Sequence, residues 1–249
     1  MTDTFLHFIT CRCICWCEVI FLDGRGAAVN TLFFERDLLY NGEVVLHYRI
    51  EYPEFRSDRF RSTVNAINRY YERSARNYRR YAETELYDMA VAEYKSAKEN
   101  GYPVRAFEVM QVFEVTYNMA CIISLYFDRY VYTGGAHGVT GRTSQTWNLQ
   151  RGTEVTLERL YRCNVEMKRY LLGRIEQQIR RNPDIYFENY RELIDKNFHE
   201  ENFYCEPRGI VIYYQLYDIA PYASGIRTFL IPYDCFINPA NLCTAPPRN

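Results

Sequence analysis

Between residues 58 and 99 the chain contains neither proline nor glycine, and no other feature constrains its fold as tightly. Phe60, Val64, Ile67, Tyr71, Ala75, Tyr78, Ala82, Leu86, Met89 and Ala90 recur at intervals that gather apolar side chains on one helical stripe. The pattern predicts one long helix, or two with a bend, stopped by Gly101 and Pro103. Such a stripe needs an apolar face to cover it, and the flanking sequence offers strands.

Residues 31–40 and 43–52 are apolar-rich runs joined by Asn41-Gly42, the strongest short signal for a hairpin, with Pro53 closing the second strand. Beyond the helix, 105–117 and 120–132 read as strands, followed by a strand at 143–149, a turn at 150–152 and a short helix at 156–160. Two helices, 164–181 and 184–197, are broken by Asn182-Pro183, and strands return at 202–206, 210–218 and 227–233. Long helices alternating with hairpins indicate an α+β fold. The expected architecture is one antiparallel or mixed sheet, with a long helix in the first half and two to three helices in the second. The expected organisation is an extension over 1–30, a domain over 31–142, a second over 143–236 and an irregular tail over 237–249.

A chain of 249 residues with 48% hydrophobic content buries a sizeable core. Its net charge of -1 gives no global pull toward nucleic acid or an anionic membrane. The arginines of the long helix, Arg69, Arg73, Arg76, Arg79 and Arg80 among them, read as a solvated face, because the aromatic residues between them keep core spacing. The 24 tyrosines suit a half-buried sheet, or a contact surface that needs apolar area with a polar tip.

Nine cysteines are present. Cys121, Cys163, Cys205, Cys235 and Cys243 are scattered, which fits small apolar residues in a reducing interior and favours a cytoplasmic location. Cys11, Cys13, Cys15 and Cys17 alternate along a strand-like stretch; a thiolate metal site there is disfavoured because i and i+2 side chains on a rigid strand sit too far apart for one ion. Residues 5–22 have the length of a membrane span, but Arg12 and Glu18 lie inside and no basic segment precedes them. They are read as a dispensable extension rather than a clear span, with export or anchoring as the alternative.

Two connections are the candidate site. Tyr132-Thr133-Gly134-Gly135-Ala136-His137-Gly138 packs three glycines into five residues after a strand, which allows positive φ and a sharply shaped loop. Pro221-Tyr222-Ala223-Ser224-Gly225 presents an aromatic ring on a stiff turn. The predicted contact residues are Tyr132, Gly134, Gly135, His137, Gly138, Pro221, Tyr222 and Ser224, with both loops at one end of the sheet. His137 paired with Asp128 or Tyr132 is the one enzymatic alternative, a hydrolase. No H-E-x-x-H, G-x-S-x-G or phosphate-loop spacing is present, so no metal ligands, cofactor or catalytic residues are predicted.

Taken together, IEYPEF at 50–55, YTGGAHG at 132–138, TLERLY at 156–161, and IAPYASG with FLIPY near the end resemble the paired domains of unknown function in the RsiV anti-sigma factor ectodomain. The same pair stands ahead of the catalytic domain in PdaC-type peptidoglycan deacetylases. The resemblance spans roughly 31–235. It implies an α+β fold and a bacterial, non-enzymatic, sensor-type role, with a protein such as lysozyme or a cell-wall-related ligand as partner.

Overall fold

A computed structural model describes residues 26–243; the cysteine-rich stretch at 11–17 and the candidate span at 5–22 lie outside them. Strands β1 (Ala28–Tyr40) and β2 (Glu43–Arg56) form the expected hairpin. Asn41 and Gly42 both take positive φ, at 51° and 82°, as its tight turn demands. β2 continues past Pro53, contrary to expectation. Its pairing with β3 covers only Leu46–Ile50, so at Pro53 one side of the strand is free of a ladder and tolerates a missing donor.

Helix α1 (Arg61–Tyr81) runs without a break through a π-helical turn (Ala82–Leu86) into α2 (Tyr87–Asn100). Val64, Ile67, Tyr71 and Ala75 face inward, as do Ala82 and Leu86 in the wide turn and Ala90, Tyr94 and Ala97 after it. Met89, expected on the stripe, is 52% exposed, because the π turn resets the phase onto Ala90. Gly101 ends the helix in the left-handed conformation at φ 70°.

The helices are the crossover that makes β2 and β3 (Phe107–Met119) parallel. β4 (Ile122–Tyr132) and β5 (Val139–Asn148) follow antiparallel, with a two-residue β6 (Thr153–Glu154) at the edge, in the order β1-β2-β3-β4-β5-β6. β5 begins at Val139, earlier than expected, because pairing with Val131 starts directly after the glycine loop.

α3 (Leu157–Leu160), α4 (Met167–Ile179) and α5 (Tyr190–Lys196) precede a separate three-stranded sheet, β7 (Phe203–Glu206), β8 (Gly209–Tyr214) and β9 (Arg227–Pro232). The expected single sheet is therefore two. The expected helix at 184–197 shortens to α5 behind a 3-10 turn at Pro183–Ile185, and the expected strand at 210–218 stops at Tyr214.

β7 lies across the back of β3–β5. Thr116 Oγ1 donates to the Cys205 carbonyl (2.8 Å), the Cys205 N–H to Ser124 Oγ (2.9 Å) and Ser144 Oγ to the Phe203 carbonyl (2.5 Å). One apolar core joins the halves, from Phe55 and Tyr71 through Leu125 and Leu171 to Tyr214 and Phe236.

Four of the scattered cysteines are not free thiols: Cys121 pairs with Cys243 and Cys163 with Cys235. Spacing carried no sign of this, since the partners are separated by 122 and 72 positions. Cys205 is free and buried, and burial pushes its thiol up to about 12. Among the described residues no helix is long and apolar enough to cross a membrane.

Candidate functional site

The two predicted loops meet. Residues 133–138 leave the end of β4, and 215–226 link β8 to β9 in the other sheet. Gln215 holds them in register: its side-chain amide donates to the Arg142 carbonyl (2.6 Å), and its side-chain oxygen accepts from the Arg142 N–H (2.9 Å). A residue at the start of one connection thus adds two rungs to the exposed edge of β5. Asp218 Oδ2 accepts from the Gln215 N–H (2.7 Å) and sets the turn, while burial raises the Asp218 carboxyl above its ordinary range.

At the centre is the carbonyl of Gly138, which accepts from the Tyr222 hydroxyl at 2.9 Å and lies 3.0 Å from His137 Nδ1. A carbonyl only accepts, so the second contact assigns the His137 proton to Nδ1. The imidazole stacks on the Tyr222 ring with centroids 4.1 Å apart and planes 25° from parallel. Tyr217 continues the group, its ring 5.7 Å from Tyr222. It sits at φ 67° and is 53% exposed, so a strained backbone holds an apolar ring out in water.

Gly138 is required by the packing underneath: a Cβ there would lie 2.2 Å from the Tyr130 ring. Gly134 is needed for its φ of 87°. Two of the loop's glycine carbonyls face outward to neighbouring donors. Gly134 and Gly135 each accept from Arg105 (3.3 Å), and Gly135 also from the Tyr132 hydroxyl (3.1 Å).

The predicted residues therefore divide by role. His137 and Tyr222 form the presented stack, and Pro221 is exposed beside it. Tyr132, Gly134, Gly135 and Gly138 shape the loop. Ser224 faces inward, its hydroxyl donating to the Ile185 carbonyl (3.0 Å), and braces the turn without contacting the stack. Sequence reading passed over Tyr217, Tyr130, Arg105 and Gln215. Tyr217 lies just ahead of the IAPYASG segment, in a stretch taken for strand, which hid its exposure.

Asp128 does not reach His137. Its carboxylate is held by the Arg142 guanidinium through two 2.7 Å hydrogen bonds across β4 and β5. Arg142 lies over the Tyr126 ring at 3.7 Å. Burial works against its charge, and the hydrogen bonds and charge of Asp128 more than offset this, so its affinity for the proton is raised. Asp128, Thr140, Arg142, Leu216, Tyr222 and Ile226 line a shallow cleft of about 450 Å³ beside the stack. Its walls are an aromatic edge, a neutralised ion pair and aliphatic surface, suited to contact and hydrogen bonding.

Comparison with known proteins follows the two halves. Residues 41–140 match the family model described as deacetylase PdaC, and residues 160–234 match the protein of unknown function DUF3298. None of the curated proteins matches the chain. The fold is similar to that of a DUF3298 member from Bacteroides fragilis, with a TM-score of 0.64 and 18% identity over 85% of this chain and 92% of the other. It is also similar to a DUF3298 protein from Pseudomonas aeruginosa, with a TM-score of 0.52 and 14% identity over 86% and 97% of the two chains. Along the chain, a match to the PdaC model over residues 41–140 is thus followed by a match to the DUF3298 model over residues 160–234.

Proposed function

We propose that this protein is a non-enzymatic binding module of sensor type, and that the His137–Tyr222–Tyr217 group is its contact surface. The observation that carries the reading is the clamp of the Tyr222 hydroxyl on the Gly138 carbonyl beneath a stacked imidazole. Rings held by both domains before any partner arrives cost little entropy to bind with. The partner the family resemblance suggests is a protein such as lysozyme, with a cell-wall-related ligand as the alternative. The two disulfides favour the exported setting over the cytoplasmic one, because such bonds persist in oxidising compartments.

Surface-captured protein exposed to lysozyme tests this. Binding weakened at least about tenfold by Tyr222→Ala, as expected of an aromatic anchor, supports the reading; equal binding by the variant removes the site. The enzymatic alternative keeps one feature, an exposed imidazole beside a cleft. A hydrolase screen in which His137→Ala abolishes a wild-type activity would establish it instead.

A further inference from the structure

The first sheet covers only one of its faces with the long helix. Phe34, Leu38, Tyr48, Ile50 and Val109 take that side, and β7 covers the back only over β3–β5. Among the described residues no further layer covers the rest of the back face, and its register can be followed across the strands. Asp37 pairs with His47, His47 with Glu108 and Glu108 with Tyr132. In the next row Glu35 pairs with Arg49, Arg49 with Met110 and Met110 with Tyr130. Tyr130 is the ring on which Gly138 rests, so this face runs directly into the His137–Tyr222 stack.

Its charge is one-sided. Glu35, Asp37, Glu51 and Glu108 stand against Arg49 and His47, whose Nδ1 lies 2.7 Å from Asp37 Oδ1. Arg49 is already used, bonded to Glu35 (2.8 Å) and Glu51 (3.0 Å) and lying 4.2 Å over the Phe33 ring. Phe33 is 50% and Val112 43% exposed, so apolar surface lies among the carboxylates. On the opposite side of the same domain α1 carries six arginines and one glutamate, and the π turn and α2 add Glu83, Glu85, Asp88, Glu93 and Glu99 against Lys95 and Lys98.

We infer that the open back face of β1–β3 is a docking surface for a cationic protein, one that brings lysine or arginine side chains to Glu35, Asp37 and Glu108. This rests on the binding-module reading and names the chemistry of the partner. The carboxylates steer the approach and set the orientation, and the aromatic stack at the end of β4 supplies the contact that retains the partner.

The test titrates a lysine oligomer and a glutamate oligomer separately into the full chain and follows backbone amide resonances. The lysine oligomer alone should shift signals of β1–β3. Its affinity should fall about tenfold or more in E35Q/D37N/E108Q, substitutions that keep side-chain shape and so preserve the fold, and should fall again as salt shortens the screening length from about 8 Å to 3 Å. Shifts scattered away from β1–β3, or equal affinity in the triple variant, would overturn the inference. So would sedimentation showing concentration-dependent self-association abolished by Arg69→Gln/Arg73→Gln, because a second copy would then occupy the face. Lysozyme failing to bind while the lysine oligomer still maps to the face supports this inference and removes only lysozyme as the partner.

Discussion

Removing the Cys121–Cys243 bridge by serine substitution should lower the melting temperature without unfolding the protein. The bridge closes a loop of 122 positions, and chain entropy alone sets a ceiling of about 5 kcal/mol for a loop that long. The tail has other holds, so the loss should be smaller. Phe236 is fully buried, the Asn238 side chain accepts from the Tyr117 hydroxyl (2.5 Å), and the Ile237 N–H reaches the Leu160 carbonyl (2.9 Å). These contacts keep residues near Cys243 in place after reduction, so the cost falls on the denatured-state side of the balance. A loss of about 2–4 kcal/mol is expected. At about 2–4 °C per kcal/mol for a chain of this size, the midpoint drops by roughly 10 °C. The assay is thermal denaturation of wild type and C121S/C243S by circular dichroism, with and without reductant, alongside peptide mapping of the unreduced protein. Wild type in reductant should fall further than the variant, since it also loses Cys163–Cys235. A wild-type midpoint indifferent to reductant, with no linked peptides, would refute the reasoning and the exported setting with it.

Three further outcomes are expected. Gly138→Ala must displace the Tyr130 ring 2.2 Å away, drawing the Gly138 carbonyl from Tyr222; about 1–3 kcal/mol of stability is lost in a denaturant melt, together with partner affinity. Gly209→Ala would set a Cβ 2.2 Å from the Ile231 carbonyl oxygen, and because backbone in a buried strand yields less than a ring, it should be the more damaging of the two in the same melt. Burial raises Tyr48, Tyr78 and Tyr213 to about 12, with the Glu83 acceptor adding to the shift at Tyr48. Their folded values exceed the ordinary 10.0, so the stability they contribute is complete below pH 10 and lost as pH rises toward 12. Alkaline titration should therefore show a first, reversible set of tyrosinates and a second set released only with cooperative unfolding; a single set titrating near 10 with the fold intact would contradict the burial.

Much of this protein follows from local sequence. Asn41-Gly42 makes the β1–β2 turn because only residues tolerant of positive φ complete it, and the chain states that need in two letters. The proline-free, glycine-free stretch makes the long helix for the same kind of reason, and Gly134 announces the sharp loop. The π turn was not legible, because one extra residue in a turn leaves the apolar spacing nearly intact and betrays itself only when Met89 faces water. Nor were the disulfides, the division into two sheets, or Ser224 turning inward to Ile185, since each depends on partners far away in the chain. The candidate site shows the division most clearly. Local chemistry shaped the glycine loop and the Pro-Tyr turn separately, whereas packing β7 across β3–β5 set the Tyr222 hydroxyl against the carbonyl of Gly138, 84 positions away. A contact between such distant positions is worth forming only after a shared core has already repaid the entropy of closing the chain between them.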